Sequence, residues 1–244
     1  MNPPNRAHSS SWFPVFLGLF ATTLTVSNII AVKLIGVYGL VLPAAVILFP
    51  LTYILGDVLT EVYGFARARL AIWTGFGCNL IGVAAIWIAG LLPAAAGWTA
   101  GLYESPAQAS LAYQAILGFT PRLLAASFCA YLVGEFLNAY VMARLKVRTG
   151  GRFLWLRTIS STLVGEGADS AIFISIAFFG ILPISVLGSA IVSQWLVKSA
   201  YEALATPLTY TVVNSLKRAE GIDVFDRETD FNPVRFGPRS NSST

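Results

Sequence analysis

Six apolar stretches, each long enough to cross a bilayer as a helix, occupy most of this chain and leave no room between them for a soluble core. They run from Trp12 to Val32, Leu42 to Tyr63, Leu70 to Leu92, Leu123 to Ala143, Ile159 to Gly180 and Ile184 to Val213. A hydrocarbon layer about 30 Å thick is crossed by roughly twenty helical residues rising about 1.5 Å each. Lipid offers no partner to an open backbone amide, so spanning elements must be helices or a closed barrel. The runs lack the period-two alternation of a barrel strand, which leaves helices. With 56% of 244 residues hydrophobic and 11% charged, and a mean hydropathy of +0.70, the solvent of this chain is lipid. The expected fold class is all-α, a polytopic membrane protein with six transmembrane helices.

The loops set the orientation. Arg67 and Arg69 follow the second run, Arg144, Lys146, Arg148, Arg152 and Arg157 follow the fourth, and Lys217 and Arg218 follow the sixth. The alternate loops are nearly free of positive charge, Arg122 excepted. Positive loops stay inside, so both termini are expected in the cytoplasm. The first run is rich in internal Thr, Ser and Asn and lacks a small-residue cleavage site, so it is expected as a retained helix. Residues 1–215 form the membrane domain, and 216–244 read as a polar, partly disordered cytoplasmic tail. Between the third and fourth runs, Ser105-Pro106 has the form of a helix cap followed by a first-turn proline, opening a short helix to Leu117.

Eight ionisable residues fall at membrane depth: Lys33, Asp57, Glu61, Glu135, Glu166, Asp169, Lys198 and Glu202. Each costs about 2.5 to 3.5 kcal/mol at a helix centre unless compensated. Asp57 and Glu61, Glu166 and Asp169, and Lys198 and Glu202 are spaced three or four apart, so each pair shares a helix face. Asn28, Asn79, Asn138 and Gln194 add polar groups on other runs, and Tyr53, Trp73, Phe173, Trp195 and Tyr201 place rings close to the same faces. A polar ligand with a planar ring suits such an interior. Taken singly, several have a structural alternative: Lys33 and Glu61 could snorkel, Glu135 could support helix contacts, and Lys198 with Glu202 could be an ion pair. The candidate substrate-binding set is Asn28, Asp57, Glu61, Trp73, Asn79, Glu166, Asp169, Phe173, Gln194, Lys198 and Glu202.

Other classes are excluded on composition. The one histidine, His8, lies in the polar N-terminal segment, and Cys78 and Cys129 sit apart in apolar runs, so no metal site, disulfide or cofactor is expected. The net charge of +4 comes from membrane-flanking loops rather than a nucleic-acid surface. Ile54-Leu55-Gly56-Asp57 lacks the Gly-x-Gly-Asp of intramembrane aspartyl proteases, and no Gly-x-Ser-Gly is present, so an enzyme is not expected.

Two stretches are recognisable. Gly56-Asp57-Val58-Leu59-Thr60-Glu61-Val62-Tyr63-Gly64-Phe65-Ala66-Arg67-Ala68-Arg69 and Ser160-Ser161-Thr162-Leu163-Val164-Gly165-Glu166-Gly167-Ala168-Asp169-Ser170 resemble the signatures of the queuosine precursor transporter family. Ser27-Asn28 and Gln194-Trp195-Leu196-Val197-Lys198 fit the same pattern, and the likeness extends over residues 12–215. The resemblance implies a carrier in the inner, cytoplasmic membrane that imports 7-cyano- or 7-aminomethyl-7-deazaguanine or a related salvaged base. On this reading Glu166 or Asp169 accepts two hydrogen bonds from the guanine-like edge, Asn28 or Lys198 donates to the ring carbonyl, and Asp57 takes an aminomethyl cation or a coupling proton. The partners are then the deazaguanine and the bilayer, with a homodimer compatible. The alternative is a substrate-binding subunit of an energy-coupling-factor vitamin transporter. The chain has no phosphate-binding loop, so an external ATPase module would have to supply energy there.

Overall fold

The structure, a computed structural model, describes residues 12–37, 40–118 and 121–235. His8 lies outside the described residues. The described chain runs in order as α1 (Phe13–Ile30), β1 (Leu34–Val37), β2 (Leu40–Pro43), a single 3-10 turn (Ala44–Ile47), α2 (Phe49–Tyr63), α3 (Phe65–Leu91), α4 (Pro106–Leu117), α5 (Pro121–Arg148), α6 (Leu154–Phe178) and α7 (Ile184–Glu220). The architecture is that of an all-α membrane protein carrying one small antiparallel hairpin, in which Leu34 pairs with Pro43 and Val37 with Leu40.

Three of these helices, α1, α3 and α6, are each long and apolar enough to cross a membrane, as is the stretch Pro106–Arg148 that contains α4 and α5. The second apolar run differs from the sequence expectation, because its helix begins only at Phe49 rather than at Leu42. Pro43 ends a strand and Pro50 sits in the first turn of α2, the one helical position where a missing N–H costs nothing. The expected short helix is found at α4, where the Ser105 side chain accepts from the Gln108 amide at 3.3 Å.

α5 lies along α6, and two glycines allow the approach. A Cβ added to Gly165 would stand 2.8 Å from both the Gly134 carbonyl oxygen and the Asn138 Cβ. Small residues bring helix backbones together where lipid supplies no hydrophobic drive between helices. α7 packs on α6 and α2, while α1 packs on α2 and α3. Phe20, Ile54, Leu55, Val58, Val62 and Val213 fill the space among α1, α2 and α7. Ile81, Ile88, Leu196 and Leu204 project outwards, as a lipid-facing surface requires.

The chain beyond Ser215 departs from a polar, disordered tail over its described part. α7 continues to Glu220, and residues 221–235 fold back over the ends of α2, α3 and α5. Gly64 joins α2 to α3 at a φ of +80° and has no side chain to cap the new helix. Asp226 takes that role, accepting from the Phe65 amide at 3.0 Å and placing an anion at a helix N-terminus. Arg69 donates to the carbonyls of Asp230 and Asn232, and Phe231 packs against Phe65. The apolar contacts come from residues scattered through a polar stretch, so no periodic pattern marks them.

The backbone amide of Trp12 donates to Glu220 at 2.7 Å, so the two ends of the helical bundle chain lie at the same face. The isolated Arg122 is at the opposite end, where it donates to the carbonyls of Ile176 and Phe179 and satisfies the C-terminus of α6.

Candidate functional site

The buried charges divide into two groups. In the first, the Glu61 carboxylate at the end of α2 is fully buried and collects cations from three other helices. Arg157 of α6 meets it with two hydrogen bonds, at 2.8 and 2.7 Å. Lys217 of α7 donates at 2.6 Å, and Lys146 of α5 stands 3.6 Å away while donating to the Glu61 backbone carbonyl. Asp223, just past α7, binds Lys146 at 2.5 Å and Lys217 at 2.9 Å. Burial works to raise the Asp223 carboxyl, but its hydrogen bonds from Lys146 and Lys217 outweigh this and hold it below the ordinary aspartate value. These five residues clamp α2, α5, α6, α7 and the returning segment together. The three cations leave the Glu61 carboxylate occupied.

The second group lies further along the helices, more than two turns of α6 from Arg157. Lys198 of α7 stands 2.5 Å from Asp169 and 3.0 Å from Glu166, both of α6. The Tyr53 hydroxyl, from α2, donates to Glu166. Helical spacing puts both acids on the α6 face that meets α7, and the Gly165 crossing fixes how far α6 stands from α5. Lys198 and Asp169 remain partly accessible, at 15% and 20%, whereas Glu166 is buried. The cluster therefore combines two carboxylates, one ammonium and one phenol, of which the ammonium and one carboxylate are partly exposed. Such a set can accept a pair of N–H bonds on one carboxylate and donate to a carbonyl from the ammonium.

Asp57 lies next to these, fully buried, with one oxygen receiving the Asn138 amide at 3.0 Å. Glu135 and Glu202 complete the central acids; Glu202 is 1% exposed.

Of the residues singled out from sequence, Glu166, Asp169 and Lys198 are brought together, with Asp57 and Glu202 near them. Gln194 precedes Lys198 by one turn, and Phe173 follows Asp169 by one turn with its ring 6.4 Å from that of Phe178. Asn28 on α1 is half-buried and Asn79 on α3 is buried. Glu61 belongs to the clamp instead. Trp73 is also elsewhere, donating to the Pro233 carbonyl at 2.8 Å and so holding the returning segment. Sequence reasoning took Arg157 and Lys146 as loop anchors, yet both are 1% exposed. Their long aliphatic stems carry the charge back into the bundle.

Both signatures now have physical content. The first supplies Asp57, Glu61, the Gly64 turn and Arg69. The second supplies the Gly165 crossing and the two acids that bind Lys198.

Residues 43–212 match a family described as "Putative vitamin uptake transporter". The chain is 31% identical over 210 residues to a Bacillus subtilis (strain 168) protein described as "Probable queuosine precursor transporter", covering 84% of this chain and 85% of that one. No solved structure matches it. The chain belongs to the vitamin uptake transporter family, as a multi-pass membrane transporter of the queuosine-precursor type.

Proposed function

We propose that the chain imports 7-cyano- or 7-aminomethyl-7-deazaguanine, or a closely related salvaged base, across the cytoplasmic membrane. It does so through six spans, α1, α2, α3, α5, α6 and α7, with both termini in the cytoplasm. The observation that carries the reading is the Glu166, Asp169, Lys198 and Tyr53 cluster. A guanine-like edge presents a ring N–H and an exocyclic amine to one carboxylate, and its ring carbonyl faces a cation or amide donor. Asp169 is the carboxylate a ligand reaches more readily, because it is the more exposed of the two. Lys198 then serves the ring carbonyl. Phe173 and Gln194, each one turn from this pair in sequence, are the candidates to flank the ring. Asn28 and Asn79 are candidates for contacts from α1 and α3. The orientation rests on the clamp, which gathers Arg157, Lys146 and Lys217 at the end of the bundle where the positive-inside rule puts the cytoplasm.

Binding to the detergent-purified protein tests this. A deazaguanine that binds wild type in preference to guanine and biotin, and is lost in Asp169→Asn, supports both substrate class and site. A folded protein that binds no deazaguanine contradicts it. No observation favours the energy-coupling-factor subunit reading over this one.

A further inference from the structure

Glu202 is a buried acid without a hydrogen-bond partner. Its side chain is 1% exposed, and neither carboxylate oxygen has a hydrogen-bond donor among the described residues. The groups whose charges act on it are Asp57 of α2, Glu135 of α5 and Glu166 of α6, all acids. Asp57 itself has one oxygen unpartnered. Among the described residues no cation is paired with Glu202. On its own helix Lys198 is engaged by Asp169 and Glu166, and Arg157, Lys146 and Lys217 are engaged by Glu61 and Asp223. Asp57, Glu135, Glu166, Asp169 and Glu202 thus face one ammonium. An ionised carboxylate in that setting is costly enough that it takes up a cation or a proton. Among the described residues no group of three or more acids is placed to hold a metal ion, whereas a proton needs only the one carboxylate.

Resting on the transporter reading above, we propose that Glu202 is a proton-carrying site that couples movement of the base to proton entry, with Lys198 as the link. Lys198 lies one turn before Glu202 on the same face of α7. While Glu202 is protonated, Lys198 stays with Asp169 and Glu166 and completes the base site. When Glu202 loses its proton towards the cytoplasm, its carboxylate competes for the same ammonium, and the base site loses its cation. Pro207 follows on α7 and lacks the N–H that would bond to the Ala203 carbonyl, so the helix is least constrained directly after Glu202. Reciprocity requires that proton and base favour each other's binding.

The test uses purified protein with 7-cyano-7-deazaguanine as the probe. Wild-type affinity should weaken with rising pH, approaching about tenfold per pH unit once Glu202 ionises. Glu202→Gln, which stands for the protonated acid, should bind with no such pH dependence. In liposomes carrying a lumenal pH dye, the base added outside should acidify the lumen with wild type and not with Glu202→Gln. Entry of the base without acidification, or wild-type binding that ignores pH, overturns the proposal. The infrared carbonyl band of a protonated carboxyl at neutral pH, present in wild type and weakened by one carboxyl's worth in Glu202→Gln, decides the proton site without any base. Absence of that band in wild type overturns it, and the wild-type measurements stand alone should the variant fail to fold. If the band is present but no deazaguanine binds or enters, the substrate reading falls and the proton site stands.

Discussion

Lys198 reaches from α7 to within 2.5 Å of Asp169 on α6, and the same ammonium stands 3.0 Å from Glu166. One cation thus holds two acids at the position where the signature stretches of α6 and α7 meet. Lys198→Met removes the donor expected to face the ring carbonyl and leaves the acids to repel each other. Loss of a hydrogen bond to a charged group is worth about 1.5 to 3 kcal/mol. Deazaguanine affinity should therefore fall roughly tenfold to a hundredfold, measured by titration of the purified variant.

Glu61 should matter for stability rather than for affinity. Removing one partner of a buried ion pair costs about 3 to 5 kcal/mol, because the remaining charges stay buried. Glu61→Gln leaves Lys146 and Lys217 with Asp223 as their remaining acid and takes from Arg157 its carboxylate partner. Its thermal unfolding in detergent should move strongly downwards. The exposed Arg235 to Asp230 pair is the control, since its loss is worth about 0 to 1 kcal/mol.

Asp223 gives a pH-dependent signature. A carboxyl held below its unfolded-state value stabilises the folded chain above that value, and the contribution is lost as pH falls through the folded-state value. The midpoint difference between wild type and Asp223→Asn should be constant from neutral pH down to about 4 and should shrink below it. A difference that grew with acidity would contradict the assigned contacts with Lys146 and Lys217.

The α5 and α6 crossing tolerates no side chain at Gly165. A Cβ there meets backbone and the Asn138 Cβ at 2.8 Å, and overpacking of this kind costs about 1 to 3 kcal/mol. Gly165→Ala should lower the unfolding temperature and disturb the neighbouring Glu166. Gly77, on α3, has nothing within 4 Å of an added Cβ, so Gly77→Ala should be neutral or stabilising by about 0.5 to 1 kcal/mol.

Much of this was readable because helices in lipid obey strong rules. Apolar length marked α1, α3, α6 and the stretch Pro106–Arg148 as able to cross a membrane, and the three- and four-residue spacing of the acids and Lys198 pointed to shared helix faces. Which acid meets which cation was not readable. Lys146 and Arg157 have loop-like neighbours in sequence, and only the fold shows their stems turning inwards to Glu61. Trp73 had the right residue type on an inward face, but its partner Pro233 lies in a polar stretch with no periodic signal. Pro43 and Pro50, by contrast, carried a visible reason for α2 to begin late. The apolar count alone passed over it.

Uptake of labelled 7-cyano-7-deazaguanine into liposomes containing the purified protein tests the central claim most directly. The account predicts saturable entry that 7-aminomethyl-7-deazaguanine competes for, that guanine and biotin do not, and that Asp169→Asn abolishes. A folded, correctly inserted protein that admits no deazaguanine, or that admits it equally well with Asp169→Asn, would contradict it.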